Sequence, residues 1–347
     1  MNKSSFSVAY RAETFRLFKS KSVWIFLIIV TVVVLSLLIV LAAFSLKTDK
    51  YNTWSVPENL DVAIEELKEN EQKYLKMREM TSDVTEIDTM IYAIRADIAV
   101  CEYFKSNGIT TGKYRDFETT QTILNADDMY DYVDYAMRIA ATFTVFFYGA
   151  ITAGSIAGER KTGTLKIPLL RPVSRKDIIT AKFLSYFTFA GATLVIEFFL
   201  ATIFGLFAGG GFVAPVVMVF NATSVFIINP FVALLLGLLF ELILLAIMIM
   251  GAVFISVICN GKVPAILLYL FLLCGVFSEA MITLIGTLVF KVNLAGFVPI
   301  NACDFSRCFT FTGGAGIGTV IPQMIFGVIY AVIFAVLPYI LFNRQDN

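Results

Sequence analysis

The 347-residue chain contains no histidine, which removes the commonest general base and metal ligand. Its five cysteines (Cys101, Cys259, Cys274, Cys303 and Cys308) include no Cys-x-x-Cys pair, so a zinc or iron–sulfur site is not expected. Charged residues are scarce, at 16%, and the net charge is zero, so the total says nothing about partners; no nucleic-acid partner is expected. No Gly-x-x-x-x-Gly-Lys-Ser/Thr run occurs. Asn260-Gly261-Lys262 is the nearest approach, and the glycines at 313–318 lack the lysine, so the chain shows no nucleotide site of its own. The apolar runs hold no Asp, and their only bases, Arg138 and Lys182, stand at edges. That leaves no intramembrane aspartyl pair, Ser/His dyad or complete proton relay.

Apolar surface dominates instead. Residues AVILMFWYC make up 58% of the chain, and the mean hydropathy is +0.79. The first long run, Ser22 to Leu46, is 25 residues, too long for a signal-peptide core and long enough to cross a hydrocarbon layer of about 30 Å. The pattern predicts an all-α integral membrane protein with six transmembrane helices at 22–46, 137–158, 178–208, 230–258, 264–290 and 320–342. Segment 209–229 is too apolar for an open loop and reads as an outer loop or a re-entrant helix. Segment 291–319 reads as a second outer loop. Gly154-x-x-x-Gly158 offers a small-residue face for close helix contact.

The charges sort by segment. Residues 1–21 carry Lys3, Arg11, Arg16, Lys19 and Lys21 against Glu13, with Val8, Ala12, Phe15 and Phe18 at helical spacing. This suits a cytoplasmic interfacial helix. Residues 47–136 hold 10 Lys/Arg against 19 Asp/Glu and read as an acidic, helical, extracellular insert. Its first helix runs from Pro57 to about Met80. A second is capped by Asp83 and stopped by Gly108, and a third, capped by Asn125, runs into the second span. With basic inner segments, both termini are expected in the cytoplasm and the chain in the plasma membrane as a multi-pass protein.

Residues 159–177 form a basic elbow between two spans. Glu159-Arg160-Lys161 ends one apolar run, Thr162-Gly163-Thr164-Leu165 turns, Arg171-Pro172-Val173 breaks, and Ser174-Arg175-Lys176-Asp177 has the form of a helix start. Taken as charge alone, this is a cytoplasmic loop obeying the positive-inside rule. The order Glu-Arg-x-x-Gly-Thr-Leu followed by Pro-Val-Ser-Arg, with Lys182 beyond, resembles the signature loop of type-two, exporter-like ABC transporter permeases. That resemblance implies a permease subunit of an ATP-driven exporter, paired with a second permease chain (identical or different) and with two ABC ATPase subunits that carry ATP and Mg. It implies no cofactor and no ATPase activity on this chain. The elbow would be the coupling piece docked on the ATPase, through Glu159, Arg160, Lys161, Gly163, Thr164, Leu165, Pro172, Ser174 and Arg175. The large acidic insert is absent from compact polymer exporters and points to an amphipathic drug, peptide or lipid-like substrate.

Three glutamates, Glu197, Glu241 and Glu279, lie within apolar runs, where a carboxylate costs roughly 3 kcal/mol. They suit a cation path, polar substrate contacts, or hydrogen bonds between helices. Cys303 and Cys308 suit either a disulfide on the oxidising side or two buried thiols. Two other functions fit part of the pattern. One is a membrane sensor whose insert binds a ligand. The other is a secondary cation transporter using the three glutamates.

Overall fold

The computed structural model describes residues 5–45, 54–80, 84–116, 128–164, 174–275, 281–282, 285, 294–310 and 320–344. The chain is mostly helical. Among the described residues, five helices are long and apolar enough to cross a membrane. They are α2 (Lys21–Ser45), α5 (Met129–Lys161), α6 (Arg175–Ala208), α7 (Pro230–Ile258) and α10 (Ile321–Arg344). A short α1 (Ser5–Phe18) precedes them, and a one-turn α9 (Pro299–Ala302) comes before α10. The region expected as the span 264–290 begins as α8 (Lys262–Leu268), continues as a π-helical turn to Leu273 and reaches Gly275. Most of residues 276–290, Glu279 included, lie outside the described residues.

Helix α5 is central, packed on α2, α6, α7 and α8. Small residues allow the approach: a Cβ on Gly149 would stand 1.9 Å from the Tyr269 hydroxyl, which donates to the Val145 carbonyl at 2.9 Å. The Gly154-x-x-x-Gly158 face receives the aliphatic stem of Lys262 at the start of α8.

The polar segment after α2 contains α3 (Leu60–Met80) and α4 (Val84–Ser106), packed on each other as the two amphipathic stripes require. Gly108, just past the end of α4, takes φ +67°, the left-handed stop. Asp83 and Asn125 lie outside the described residues; the N-cap of α5 is Asp128.

The fold is not all-α. Strands β1 (Trp54–Ser55), β2 (Lys113–Asp116), β3 (Val216–Phe220) and β4 (Ser224–Ile228) form one sheet in that order. β2 pairs parallel to β3, and β3 with β4 makes an antiparallel hairpin, Val216 opposite Ile228. Segment 209–229 is therefore a hairpin rather than a re-entrant helix. The physical reason is in its residues: Val216, Val217 and Val219 are β-branched and buried, and Asn221 and Ala222 turn the chain with φ of 53° and 54°. β3 supplies Val217 and Val219 to a small core under α4, with Tyr92, Ala96, Val100 and Phe104.

Candidate coupling site and buried ion networks

The elbow begins where α5 ends. Thr162 closes the helix, and Gly163 follows at φ +72°, a conformation glycine adopts without a Cβ clash. The Thr162 and Thr164 hydroxyls hydrogen-bond each other at 2.8 Å, and Thr164 donates to the Glu159 carbonyl at 3.3 Å. The Gly-Thr pair of the motif is thus a helix stop. Leu165 and Pro172 lie outside the described residues. On the far side, Ser174 caps α6, its hydroxyl accepting from the Asp177 N–H at 3.1 Å. Arg175 donates to the Phe342 carbonyl near the end of α10, at 3.2 Å.

Glu159 and Arg160 point different ways. Arg160 crosses to the end of α7, donating to the Val257 carbonyl at 2.9 Å and to Asn260 Oδ1 at 3.2 Å. A cation there satisfies terminal carbonyls and opposes the negative end of the helix dipole. Glu159 turns to α1 and α6. It accepts from Lys182 Nζ at 2.8 Å and pairs with Arg16. Lys182, with its side chain 1% exposed, also donates to Glu13 at 2.9 Å. Arg16 bonds Glu13 at 2.8 Å and the Tyr186 hydroxyl at 3.1 Å. Burial alone would lower the Arg16 guanidinium; Tyr186, Glu13 and Glu159 outweigh it and hold it charged. Two acids and two bases thus join α1, α5 and α6. Further along α1, Thr14 meets Ser185 at 3.3 Å and Tyr10 meets Thr188 at 3.2 Å.

Lys161 lies at the same corner and is exposed. Sequence patterns flagged Glu159, Arg160 and Lys182, but Glu13 and Tyr186 carried no signal beyond their place on helices.

A second network sits at the opposite end of α5. Arg115 on β2 donates to Asp128 at 2.7 Å and to Asp131 at 2.9 Å, and all three side chains are 0% exposed. Asp128 also caps α5 through the Tyr130 N–H and accepts from the Val213 N–H, each at 2.9 Å. This node ties the sheet to the top of α5, and nothing in the spacing of these residues marks it.

The glutamates separate. Glu197 on α6 is buried and accepts a hydrogen bond from Thr31 on α2. Glu241 lines a cavity of about 210 Å³ between α5, α7 and the turns around 300–307, together with Asp134, Arg138, Asp304 and Arg307. In it Arg138 pairs with Asp134 at 3.0 Å and Arg307 with Asp304 at 3.1 Å. Cys303 and Cys308 are two free, buried thiols packed in different apolar clusters rather than a disulfide. Burial, then the Asp304 carboxylate, pushes each up to about 12.

Long apolar helices, with an ion-locked corner that joins two of them to α1 beside a motif-bearing turn, describe a multi-pass membrane protein. The chain belongs to the ABC-2 transporter permease family: the family described as ABC-2 family transporter protein matches it over residues 10–347. It is accordingly a membrane subunit of an ABC transporter and not itself the ATPase. No curated protein matches the sequence.

Proposed function

We propose that this chain is the permease of an ATP-driven exporter. It works as a dimer of permease chains, and two separate ATPase subunits with ATP and Mg drive it through the elbow 159–177. The observation that carries this reading is the Glu159–Lys182–Arg16 lock at the motif itself. A push on the elbow reaches α1, α5 and α6 together, because one carboxylate holds all three. Rigid transfer of this kind is what coupling requires. Helix α1 would be the second contact with the ATPase; its Val8, Phe15 and Phe18 are exposed, as an interfacial helix needs.

In this reading both termini are cytoplasmic, the acidic insert with its sheet is extracellular, and a sixth span runs through 264–290. The cavity around Glu241, Asp134 and Asp304 supports an amphipathic substrate with a polar or cationic group, since it places ionic groups beside the apolar walls of α5 and α7.

Affinity purification in mild detergent, with mass spectrometry and an ATPase assay, tests the assignment. A co-purifying nucleotide-binding chain with vanadate-sensitive activity is the expected result. Its absence across several detergents would return attention to the insert as a receptor domain. Within an active complex, Arg160→Ala should lower substrate-stimulated ATPase activity and transport together while the chain still inserts.

A further inference from the structure

The corner beneath the ion lock holds a cavity of about 470 Å³, between the α1–α2 junction, the last turns of α5 and the start of α8. Arg16, Lys161 and Lys262 line it, and Glu159 is its one acid among the described residues. Arg16 is committed to Glu159 and Glu13. Lys161 and Lys262 have no ion-pair partner among the described residues, and residues 165–173, close by in the chain, contain no Asp or Glu. Both lysines are exposed; the Lys161 stem passes near Gly261, the Lys262 stem fills the groove over Gly154 and Gly158, and both residues line the cavity. Ser155 and Thr162 line the same space, their hydroxyls donating to the Thr152 carbonyl at 2.8 Å and the Gly158 carbonyl at 3.1 Å.

The apolar part of the lining is Leu17 and Ile151, the latter about two helical turns deeper along α5 than Gly158. Beside it, Phe18 and Trp24 are exposed, and Trp24 donates its ring N–H to the Phe18 carbonyl at 2.7 Å. A tryptophan anchored this way marks the level where hydrocarbon gives way to headgroups. Two unpaired lysines and an apolar inner wall at that depth match a phosphate bearing an acyl tail.

We propose that this cavity binds the phosphodiester headgroup of an anionic phospholipid. The bound phosphate would neutralise Lys161 and Lys262 next to the ion lock and hold α8 against α5. This site needs neither an ATPase nor a direction of transport, so it stands or falls separately from the exporter assignment.

The test uses the full chain in nanodiscs of phosphatidylcholine with a minor fraction of phosphatidylglycerol, followed by native mass spectrometry after extraction. The expected result is selective retention of phosphatidylglycerol. In Lys161→Gln/Lys262→Gln, retention should fall by on the order of tenfold, the loss expected when two interfacial lysines facing an anionic lipid are neutralised. Glutamine keeps much of each stem, so packing on Gly154 is retained. Inorganic phosphate, added at millimolar concentration to the same sample, should not displace the lipid. Equal retention of the two lipids by the unmodified chain would overturn the proposal even if the double variant failed to fold. Equal retention by the folded double variant would also overturn it, and displacement by inorganic phosphate would reject the lipid as the source of the phosphate.

Discussion

Lys182, about two turns into α6, donates to Glu159 on the last turns of α5 at 2.8 Å, and its own side chain is 1% exposed. A lysine so buried is tolerated because Glu13 completes a two-carboxylate cradle at 2.9 Å. The lock links residues 23 and 169 apart in sequence.

A double-mutant cycle tests that lock. Glu159→Gln and Lys182→Met should each lower the unfolding midpoint in detergent, because each strands a buried partner. The pair together should lose less than the sum, with a coupling energy of about 1–3 kcal/mol. Strict additivity would mean that the two charges do not interact.

Breaking the Arg115 node should be more damaging than breaking a surface pair. Arg115→Met leaves Asp128 and Asp131 as buried like charges, which costs about 3–5 kcal/mol. Lys68→Met removes an ion pair to Glu102 in which both side chains are more than half exposed, 55% and 54%, and should cost under about 1 kcal/mol. Thermal unfolding monitored by circular dichroism separates the two; equal losses would contradict the buried geometry.

Glycines on neighbouring helices should respond oppositely. Gly149→Ala drives a methyl into the Tyr269 ring and should abolish the monodisperse species on gel filtration. At Gly191 the nearest neighbouring atom to an added Cβ is 3.5 Å away, so Gly191→Ala should be neutral or gain roughly 0.5–1 kcal/mol of helix stability. A tolerated Gly149→Ala would refute the packing of α5 on the π-helical turn.

Cys303 and Cys308 should stay unlabelled by a maleimide across pH 7–9 in the folded protein. The thiolate reacts, and a thiol raised to about 12 by burial and Asp304 stays protonated where an ordinary thiol near pH 8.5 has begun to ionise. Raising the pH therefore should not raise labelling until the chain is unfolded. Intact mass without reductant should show both as free thiols. A mass two units lower, restored by reductant, would show a disulfide instead.

The proposed topology puts the acidic insert and the basic elbow on opposite sides of the membrane. With both termini cytoplasmic, a cysteine introduced at Lys68 on α3 should react with an impermeant maleimide added to intact cells, and one at Lys176 should react only after lysis. The reverse pattern would invert the orientation read from the charges.

Much of this architecture follows from local sequence. Apolar length marked α2, α5, α6, α7 and α10 within a few residues, apart from extra turns such as the polar start of α5 at Met129. Hydrophobic spacing marked α3 and α4, and hydroxyl-plus-carboxylate chemistry marked the start of α6 at Ser174. Gly163 was legible as a turn. The hairpin was not, because a run such as Val216–Phe220 is equally apolar as helix or strand and periodicity cannot choose between them. Its pairing with Lys113–Asp116, about a hundred residues earlier, decided the matter.

Which segments bury in lipid and where helices stop is dictated locally, since both depend on residues within a turn or two of one another. Where the charges go is dictated by folding. Glu159 and Arg160 are adjacent in the chain, yet one locks α1 to α6 and the other closes α7. That choice rests on desolvated ion pairs between distant segments, which form only when helix packing has excluded water and brought opposite charges within hydrogen-bonding reach.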